Sequence, residues 1–409
     1  MGKNREIVLS GKDYQRISQH LLQGSAEQLA VALATPNQGR DHLKLIVQEI
    51  IPVPREGLRE QTPTYLEATD EFIWPILARC RREGKSLIEF HSHPFAGSNV
   101  GFSSVDDESD LETFIYVAEK FPEIYHATVV MGRSSIGARM WSREVEAVVP
   151  IHAFRVVELP LRIIPTTTAG SMTEAYSRLV SQGCLPPRGR GYNWEAVSRQ
   201  VQAFGREGQE RLRQNRVAVV GIGGIGSVVA ATLGHVGIGR LLLIDPEGLE
   251  KTNLNRWLGA SAADARSGAS KVAAAKAYIM KVNPEAEVET FQSSVFAPEA
   301  IEALRGADVV FGCGDKESVR LVLNRLATQY CIPYIDCGSG LFADGNSIEA
   351  AGGQIRVVLP DGPCLECMDG IDRPRAALEL MSPADREVQA RRGYVVGANI
   401  PAPSVMPLN

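Results

Sequence analysis

Residues 216–245, RVAVVGIGGIGSVVAATLGHVGIGRLLLID, constrain the fold more than any other part of the chain. Arg216 to Gly221 is an apolar, β-branched run of the kind that fills a buried parallel strand. Gly221, Gly223, Gly224 and Gly226 follow at once, and an apolar stretch of helical length opens with its first turn expected near Ser227. Glycines let a backbone turn tightly and approach a ligand, and a helix N-terminus offers unpaired N–H groups and a positive dipole end to phosphate. A second strand, Arg240 to Ile244, ends in Asp245, an acid placed to accept hydrogen bonds from ribose hydroxyls. Strand, glycine turn and helix therefore predict a nucleotide site at the carboxyl edge of a doubly wound parallel sheet.

The common occupants of such a unit are NAD and FAD, but the residues after the acid suit another ligand. Asn253 and Arg256 lie in NLNR just past the strand, Lys271 lies in GASK at a helix, and Asp315 follows a third apolar strand in ADVVFGCGD. Two cations and a second carboxylate around a mononucleotide site fit ATP with Mg²⁺, because the cations neutralise phosphates and the acid can hold the metal. The set GxGGxG, NLNR, the lysine helix, CxD and SRQ…GREGQERL at 198–212 resembles the ubiquitin-activating-enzyme superfamily, which includes the bacterial sulfur-carrier adenylyltransferases of the thiamine and molybdopterin pathways. The resemblance spans residues 192–409 and implies ATP-dependent adenylation of the C-terminal glycine of a ubiquitin-like protein. It further implies the four glycines near phosphate, Asp245 on ribose, Asn253, Arg256 and Lys271 on phosphates, Asp315 on Mg²⁺, and Arg199 reaching into the partner's site of a homodimer.

Helix and strand alternate through the rest of this half, at 272–282, 288–291, 298–304, 308–312, 317–329 and 333–336. Cys313 and Cys337 fall near the same sheet edge. Cys364 and Cys367, in PCLEC, resemble the first half of the structural zinc site of many relatives; no second pair follows, so the chain lacks that zinc, holds it with borrowed ligands, or uses one thiol differently. The ending APSVMPLN stops where relatives would enter a further helix, and no thioester-forming cysteine is assignable.

A second constellation stands upstream. Residues 5–55 read as an extended start, a helix at 12–22 and strands at 28–34 and 42–52; a helix is expected over 67–83. Ser86 to Phe90 then reads as a strand, so His91 and His93, at i and i+2, project from one face of its end. With Asp106 they supply three of the four positions of a tetrahedral Zn²⁺ site and leave one open, the arrangement of a catalytic zinc. The pattern HSHP…SSVD resembles the JAMM/MPN metalloproteases over residues 5–150. That resemblance implies cleavage after the C-terminal glycine of a ubiquitin-like protein, with His91, His93 and Asp106 as ligands, Ser103 as a donor to the tetrahedral oxyanion and Glu27 as the base. SSVDD also admits the register Ser104 with Asp107. The strands of 123–158 close this domain, and a Pro/Thr/Gly-rich linker over 159–191, with a short helix at 173–182, separates it from the second.

The domains are thus 1–158, an α/β metalloprotease domain of JAMM/MPN type, and 192–409, a Rossmann-like adenylation domain. A net charge of −5 and the lack of a basic stripe argue against nucleic acid or an anionic membrane as partner. No apolar run is long enough to span a bilayer and the start lacks a signal-peptide core, so a cytoplasmic protein is expected. Seven cysteines in 409 residues do not make a disulfide framework; Cys80, Cys184 and Cys331 read as ordinary thiols. The fusion itself suggests a bifunctional enzyme, since a protease that exposes a terminal glycine prepares the carboxylate that an adenylating domain activates. Two alternatives stand beside it: the same chemistry in sulfur-carrier metabolism, and a non-catalytic scaffold that binds a ubiquitin-like protein. A conjugating-enzyme-like protein is a further expected partner of the first reading.

Overall fold

The computed structural model describes residues 3–62, 65–97, 99–167, 194–344 and 347–381. The chain divides into two compact units, Met1–Arg190 and Gly191–Asn409.

The first unit is one mixed sheet with helices on both faces. Its elements are β1 (Asn4–Ser10), α1 (Gly11–Leu21), β2 (Leu29–Gln38), β3 (His42–Pro52), β4 (Leu58–Gln61), β5 (Leu66–Ala68), α2 (Asp70–Glu83), β6 (Ser86–Ser92), α3 (Ser104–Lys120), β7 (His126–Met131), β8 (Ile136–Ser142), β9 (Ala147–Pro150), β10 (Ala153–Val157) and β11 (Arg162–Pro165). Nine strands pair in the order β11-β10-β1-β3-β2-β6-β7-β8-β9, and β4 pairs with β5 apart from them. Alternation along β2 sorts its side chains: Ala30, Ala32 and Ala34 face the core that contains α1, whereas Leu29, Val31 and Leu33 face the core under α2 and α3. The small alanines let Ile17 and Leu21 of α1 sit close to the sheet.

Three sequence expectations shift here. The helix expected from residue 67 begins at Asp70, because 66–68 pair with β4 as a strand. The 17-residue helix α3 was not anticipated, and it carries the SSVDD segment on its first turn. The front of the expected linker is not loop: 162–165 form β11, antiparallel to β10. The helix expected at 173–182, Cys184 and the chain beyond 381 lie outside the described residues.

The second unit contains α4 (Ser198–Gln214), β12 (Arg216–Val220), α5 (Gly224–Val236), β13 (Arg240–Ile244), α6 (Ala262–Ser267), α7 (Lys271–Val282), β14 (Glu287–Phe291), α8 (Pro298–Arg305), β15 (Val309–Gly312), α9 (Glu317–Tyr330), β16 (Tyr334–Asp344), β17 (Ser347–Val358) and α10 (Arg373–Leu380). Its sheet runs β14-β13-β12-β15-β16-β17, parallel up to β16 and antiparallel at β17. Strand order reverses between β12 and β15, which makes the crevice beyond their carboxyl ends the natural ligand site. Two cores lie on opposite faces, one built on Val217, Val219, Leu241 and Leu243 and the other on Ala218, Val220, Leu242 and Ile244. The glycine-turn helix starts at Gly224, three residues ahead of the expected Ser227, with Gly223 as its N-cap. The strand expected to end at Asp336 continues to Asp344 and folds back as β17.

Candidate functional sites

In the first unit β6 delivers His91 at its end, and the chain leaves the strand through a turn in which His93 N–H donates to Met131 O (2.9 Å) and Ala96 N–H to His93 O (3.0 Å). Ser92 points the other way, is fully buried, and accepts from Gln28 N–H (3.0 Å), which ties the histidine strand to the segment carrying Glu27. Asp106 arrives from α3. Ser103 is the N-cap: its Oγ accepts from Asp106 N–H (3.1 Å), while Asp106 Oδ2 accepts from Ser103 N–H (2.6 Å). The S-x-x-D spacing is thus a capping box that also fixes where the carboxylate points.

His91 Nε2 lies 3.4 Å from Asp106 Oδ1, and His93 Nε2 lies 3.4 Å from Asp106 Oδ2 and 3.5 Å from Glu27 Oε1. One ligand atom from each of His91, His93 and Asp106 falls within 4.8 Å of the others, and this is the only such cluster of metal-binding side chains among the described residues. A tetrahedron of bonds of about 2.0–2.1 Å has edges of about 3.3 Å, so the spacing fits a small divalent ion. The buried Nε2 of His91 has no hydrogen-bond partner, which is what a coordinating nitrogen would show in the absence of its ion. Asp107, the other possible register, turns away to pair with Arg139.

Charge is finely divided at this cluster. Burial works to raise the Asp106 carboxyl, but the two imidazoles and the Ser103 N–H outweigh it and hold the acid far below the ordinary carboxylate range. Asp106 in turn pulls His93 upward, helped by Glu27 and a hydrogen bond to the Gly101 backbone. Glu27 is buried to 6% exposure, and desolvation raises its carboxyl against the opposing pull of His93 and His91. Its backbone is pinned, the carbonyl accepting from Gln61 Nε2 (2.8 Å) and the N–H donating to Thr62 O (3.3 Å). Ser103 is exposed, and because its Oγ accepts from the cap N–H, its hydroxyl proton remains free to donate.

The second site is the crevice of the other unit. Gly221 adopts φ +86°, and a Cβ there would meet Gly314 N at 2.7 Å; a Cβ on Gly226 would meet Gly221 O at 1.8 Å. Nothing lies within 4 Å of the corresponding point on Gly223, so this glycine leaves an open approach rather than a packed one. Asp245, at the end of β13 and buried, spans the turn: Oδ2 accepts from Ile222 N–H (2.6 Å) and Oδ1 from Glu247 N–H (2.8 Å). Burial raises this carboxyl, opposed by the Glu247 N–H and the Lys271 charge.

Lys271 is buried at the start of α7 with its Nζ 2.5 Å from Glu247 Oε2, and that ammonium holds the Glu247 carboxyl low. Arg256 is half-buried and donates to Thr252 O (2.6 Å) and Asn255 Oδ1 (3.1 Å); Asn253 Oδ1 accepts from Glu250 N–H (2.9 Å). Asp315 lies exposed just past the end of β15, and Arg199 is exposed on the first turn of α4. Two contacts to which the sequence motifs assign no role build this crevice. Trp257 is buried and donates its Nε1–H to Ile222 O (2.8 Å), and Ser227 Oγ accepts from Leu258 N–H (3.0 Å), so the NLNR segment is docked onto the glycine turn from both sides. The adjacency of NLNR and an indole in sequence was the available signal.

Cys364 and Cys367 lie with their sulfurs 3.7 Å apart, at the surface side of the turn whose Leu365 N–H donates to Asn324 Oδ1 (2.8 Å). No third ligand joins them among the described residues.

Residues 197–390 match the ThiF family. The chain is 32% identical over 176 residues to the adenylyltransferase and sulfurtransferase MOCS3 of Drosophila yakuba, a match covering 43% of this chain and 36% of that protein. It is 33% identical over 168 residues to the SAMP-activating enzyme E1 of Haloferax volcanii, covering 41% of this chain and 58% of that one. The chain therefore spans less than two thirds of either relative. Among solved structures, E. coli MccB aligns at 21% identity over 58% of this chain and 65% of that chain, with a TM-score of 0.39. No helix of the described residues is long and apolar enough to cross a membrane.

Proposed function

We propose that this chain, whose residues 197–390 match the ThiF family and whose second unit has a Rossmann-like α/β fold typical of an adenylyltransferase domain, is a cytoplasmic two-site enzyme that trims and then activates a ubiquitin-like protein. The first unit is a zinc metallopeptidase of JAMM/MPN type, and the second adenylates the C-terminal glycine with ATP and Mg²⁺. The observation that carries the reading is the convergence of His91, His93 and Asp106 beside a buried Glu27, with His91 Nε2 facing Asp106 at 3.4 Å but making no hydrogen bond.

When bound, zinc would supply a Lewis acid for the scissile carbonyl and for water. His91 Nε2, His93 Nε2 and one Asp106 oxygen would hold it. Glu27, its carboxyl raised by desolvation and next to His93, is placed to take a proton from water and return it to the leaving amine. Ser103 donates its hydroxyl to the oxyanion as charge develops. In the second unit the N–H groups opening α5 receive phosphate oxygens, Asp245 receives the ribose, and Asn253, Arg256 and Lys271 neutralise the triphosphate. Asp315 holds Mg²⁺. The glycine carboxylate then attacks the α-phosphorus and pyrophosphate leaves. The unit works as a homodimer with Arg199 donated across, and a conjugating-enzyme-like protein receives the product. Handing the carrier to a sulfur donor is the second reading, favoured by the match to a protein named for both adenylyl and sulfur transfer.

Two assays test the pair of sites separately. A ubiquitin-like protein with a short extension past its glycine should be cleaved by the parent, and Glu27→Gln should abolish cleavage while zinc content is unchanged. ATP–pyrophosphate exchange with the trimmed carrier should vanish in Asp315→Ala and survive in Glu27→Gln. Loss of both activities in both variants would refute separate sites.

A further inference from the structure

Behind the histidine and aspartate cluster stands a residue to which neither motif assigns a role. Arg139 sits mid-strand in β8, directly opposite Thr128 of β7, which in turn lies opposite Glu89 of β6, so the three share the sheet face covered by α3. All three nitrogens of its guanidinium are engaged on the first turns of that helix. Nη2 donates to Asp106 O (3.0 Å) and to Asp110 Oδ2 (2.6 Å), Nε donates to the same Asp110 oxygen (2.8 Å), and Nη1 pairs with Asp107. Thr128 Oγ1 donates to Asp110 Oδ2 (2.6 Å), which fixes that carboxylate in turn. The flat of the guanidinium covers the Phe102 ring at 3.7 Å, and the other side of the story is His91, whose ring lies 5.8 Å from that same phenyl.

We infer that Arg139 is the positioning residue of the metal cluster: it clamps the peptide carbonyl of Asp106 and the Phe102 wall against His91 at once, and so sets the separation of two of the three ligands. This inference rests on the zinc reading above. Asp106 enters the cluster from a helix and His91 from a strand, so their spacing depends on how α3 is seated on the sheet. The seat is Arg139, because a planar fork with five donors can grip a carbonyl and two carboxylates in fixed directions, which an ammonium cannot. Its charge is also compensated locally by Asp107 and Asp110, so a cation bound at Asp106 meets little net repulsion from it. Gly137, two residues before Arg139 on the same strand, would with a Cβ meet Val130 Cγ1 at 2.8 Å, so glycine there spares β7 and β8 a clash beside the clamp.

The test measures zinc affinity rather than turnover. On the full chain with Cys364 and Cys367 replaced by serine, Zn²⁺ is titrated against a chromophoric chelator, and the melting temperature of the zinc-free protein is recorded for each variant. Arg139→Ala should weaken zinc binding on the order of 10- to 100-fold, the usual cost of losing a residue that orients metal ligands. Arg139→Lys should restore folding stability but recover only part of the affinity, and Phe102→Leu should weaken binding several-fold with the arginine intact. A purely structural arginine would lower the zinc-free melting temperature and leave affinity within about two-fold of the parent. That result in Arg139→Lys and Phe102→Leu overturns the inference even where Arg139→Ala does not fold. A parent chain that binds no zinc overturns the metal reading itself, and this inference with it.

Discussion

Asp106 carries two duties that different substitutions separate. As the third residue of α3 it accepts from Ser103 N–H, and as a carboxylate it faces two imidazoles. Asp106→Asn keeps an acceptor for the cap and removes the charge, so the expected outcome is a folded protein that loses zinc, read by metal analysis and circular dichroism. Ser103→Ala does the reverse: it removes the cap hydroxyl, costing about 1 kcal/mol of helix stability, retains zinc, and lowers peptidase kcat. At this scale the histidines were legible, because i and i+2 on a strand end share a face whatever surrounds them. The choice between Asp106 and Asp107 was not, since neighbouring helix residues diverge by about 100° and only the seating of α3 decides which one meets the imidazoles and which one meets Arg139. Trp257 was hidden for a related reason. Its role depends on a single hydrogen bond to the glycine turn 35 residues away, and no local pattern encodes that.

The glycine turn was the most readable element, and its four glycines are not equivalent. Gly226 packs its Cα against the Gly221 carbonyl, so Gly226→Ala forces backbone apart and should cost on the order of 2–3 kcal/mol, seen as a lowered melting temperature. Gly223 faces open space with φ −83°, so Gly223→Ala should fold with unchanged stability yet bind ATP weakly in calorimetry, because the methyl occupies the approach of the phosphates. Elements dominated by tertiary pairing read poorly. The β16–β17 hairpin has glycine at 338, 340, 352 and 353, which blurs the alternation that marks a strand. Helix α3 exposes Val105, Leu111 and Ile115, which smears its amphipathic period. A pH dependence belongs to the junction before β10. His152 accepts from Arg5 N–H through Nδ1 (3.0 Å), and burial, reinforced by the Arg5 charge, lowers its pKa from 6.5. The unfolded chain therefore binds this proton first as pH falls, and stability contributed by neutral His152 is full above about pH 6.5 and is lost on descent through the lower folded value. In urea titrations His152→Gln should flatten the slope of stability against pH just below 6.5 relative to the parent; an unchanged slope would refute the assignment.

At the scale of the whole molecule the question is how many chains make one adenylation site. The crevice at the carboxyl ends of β12, β13 and β15 gathers Asp245, Lys271 and the docked NLNR segment from one chain. Arg199 stands apart, exposed on the first turn of α4, before a break in that helix at Gly205, whose φ of +74° and ψ of 168° turn the two halves against each other. An exposed arginine upstream of such a break can extend away from its own unit, and its planar, permanently charged fork suits the phosphates of a second copy. The trans arrangement makes a quantitative prediction. Chains with Arg199→Ala and chains with Asp315→Ala are each inactive in pyrophosphate exchange on their own. Mixed in equal amounts with exchange of subunits, half the dimers are hybrids, and each hybrid holds one site with both residues intact and one with neither. Since half the dimers then carry one of two sites, the mixture should recover about a quarter of the parent rate. A cis arginine leaves every site of every hybrid defective, so a mixture that stays silent after subunit exchange has been verified by differently tagged chains overturns the trans assignment.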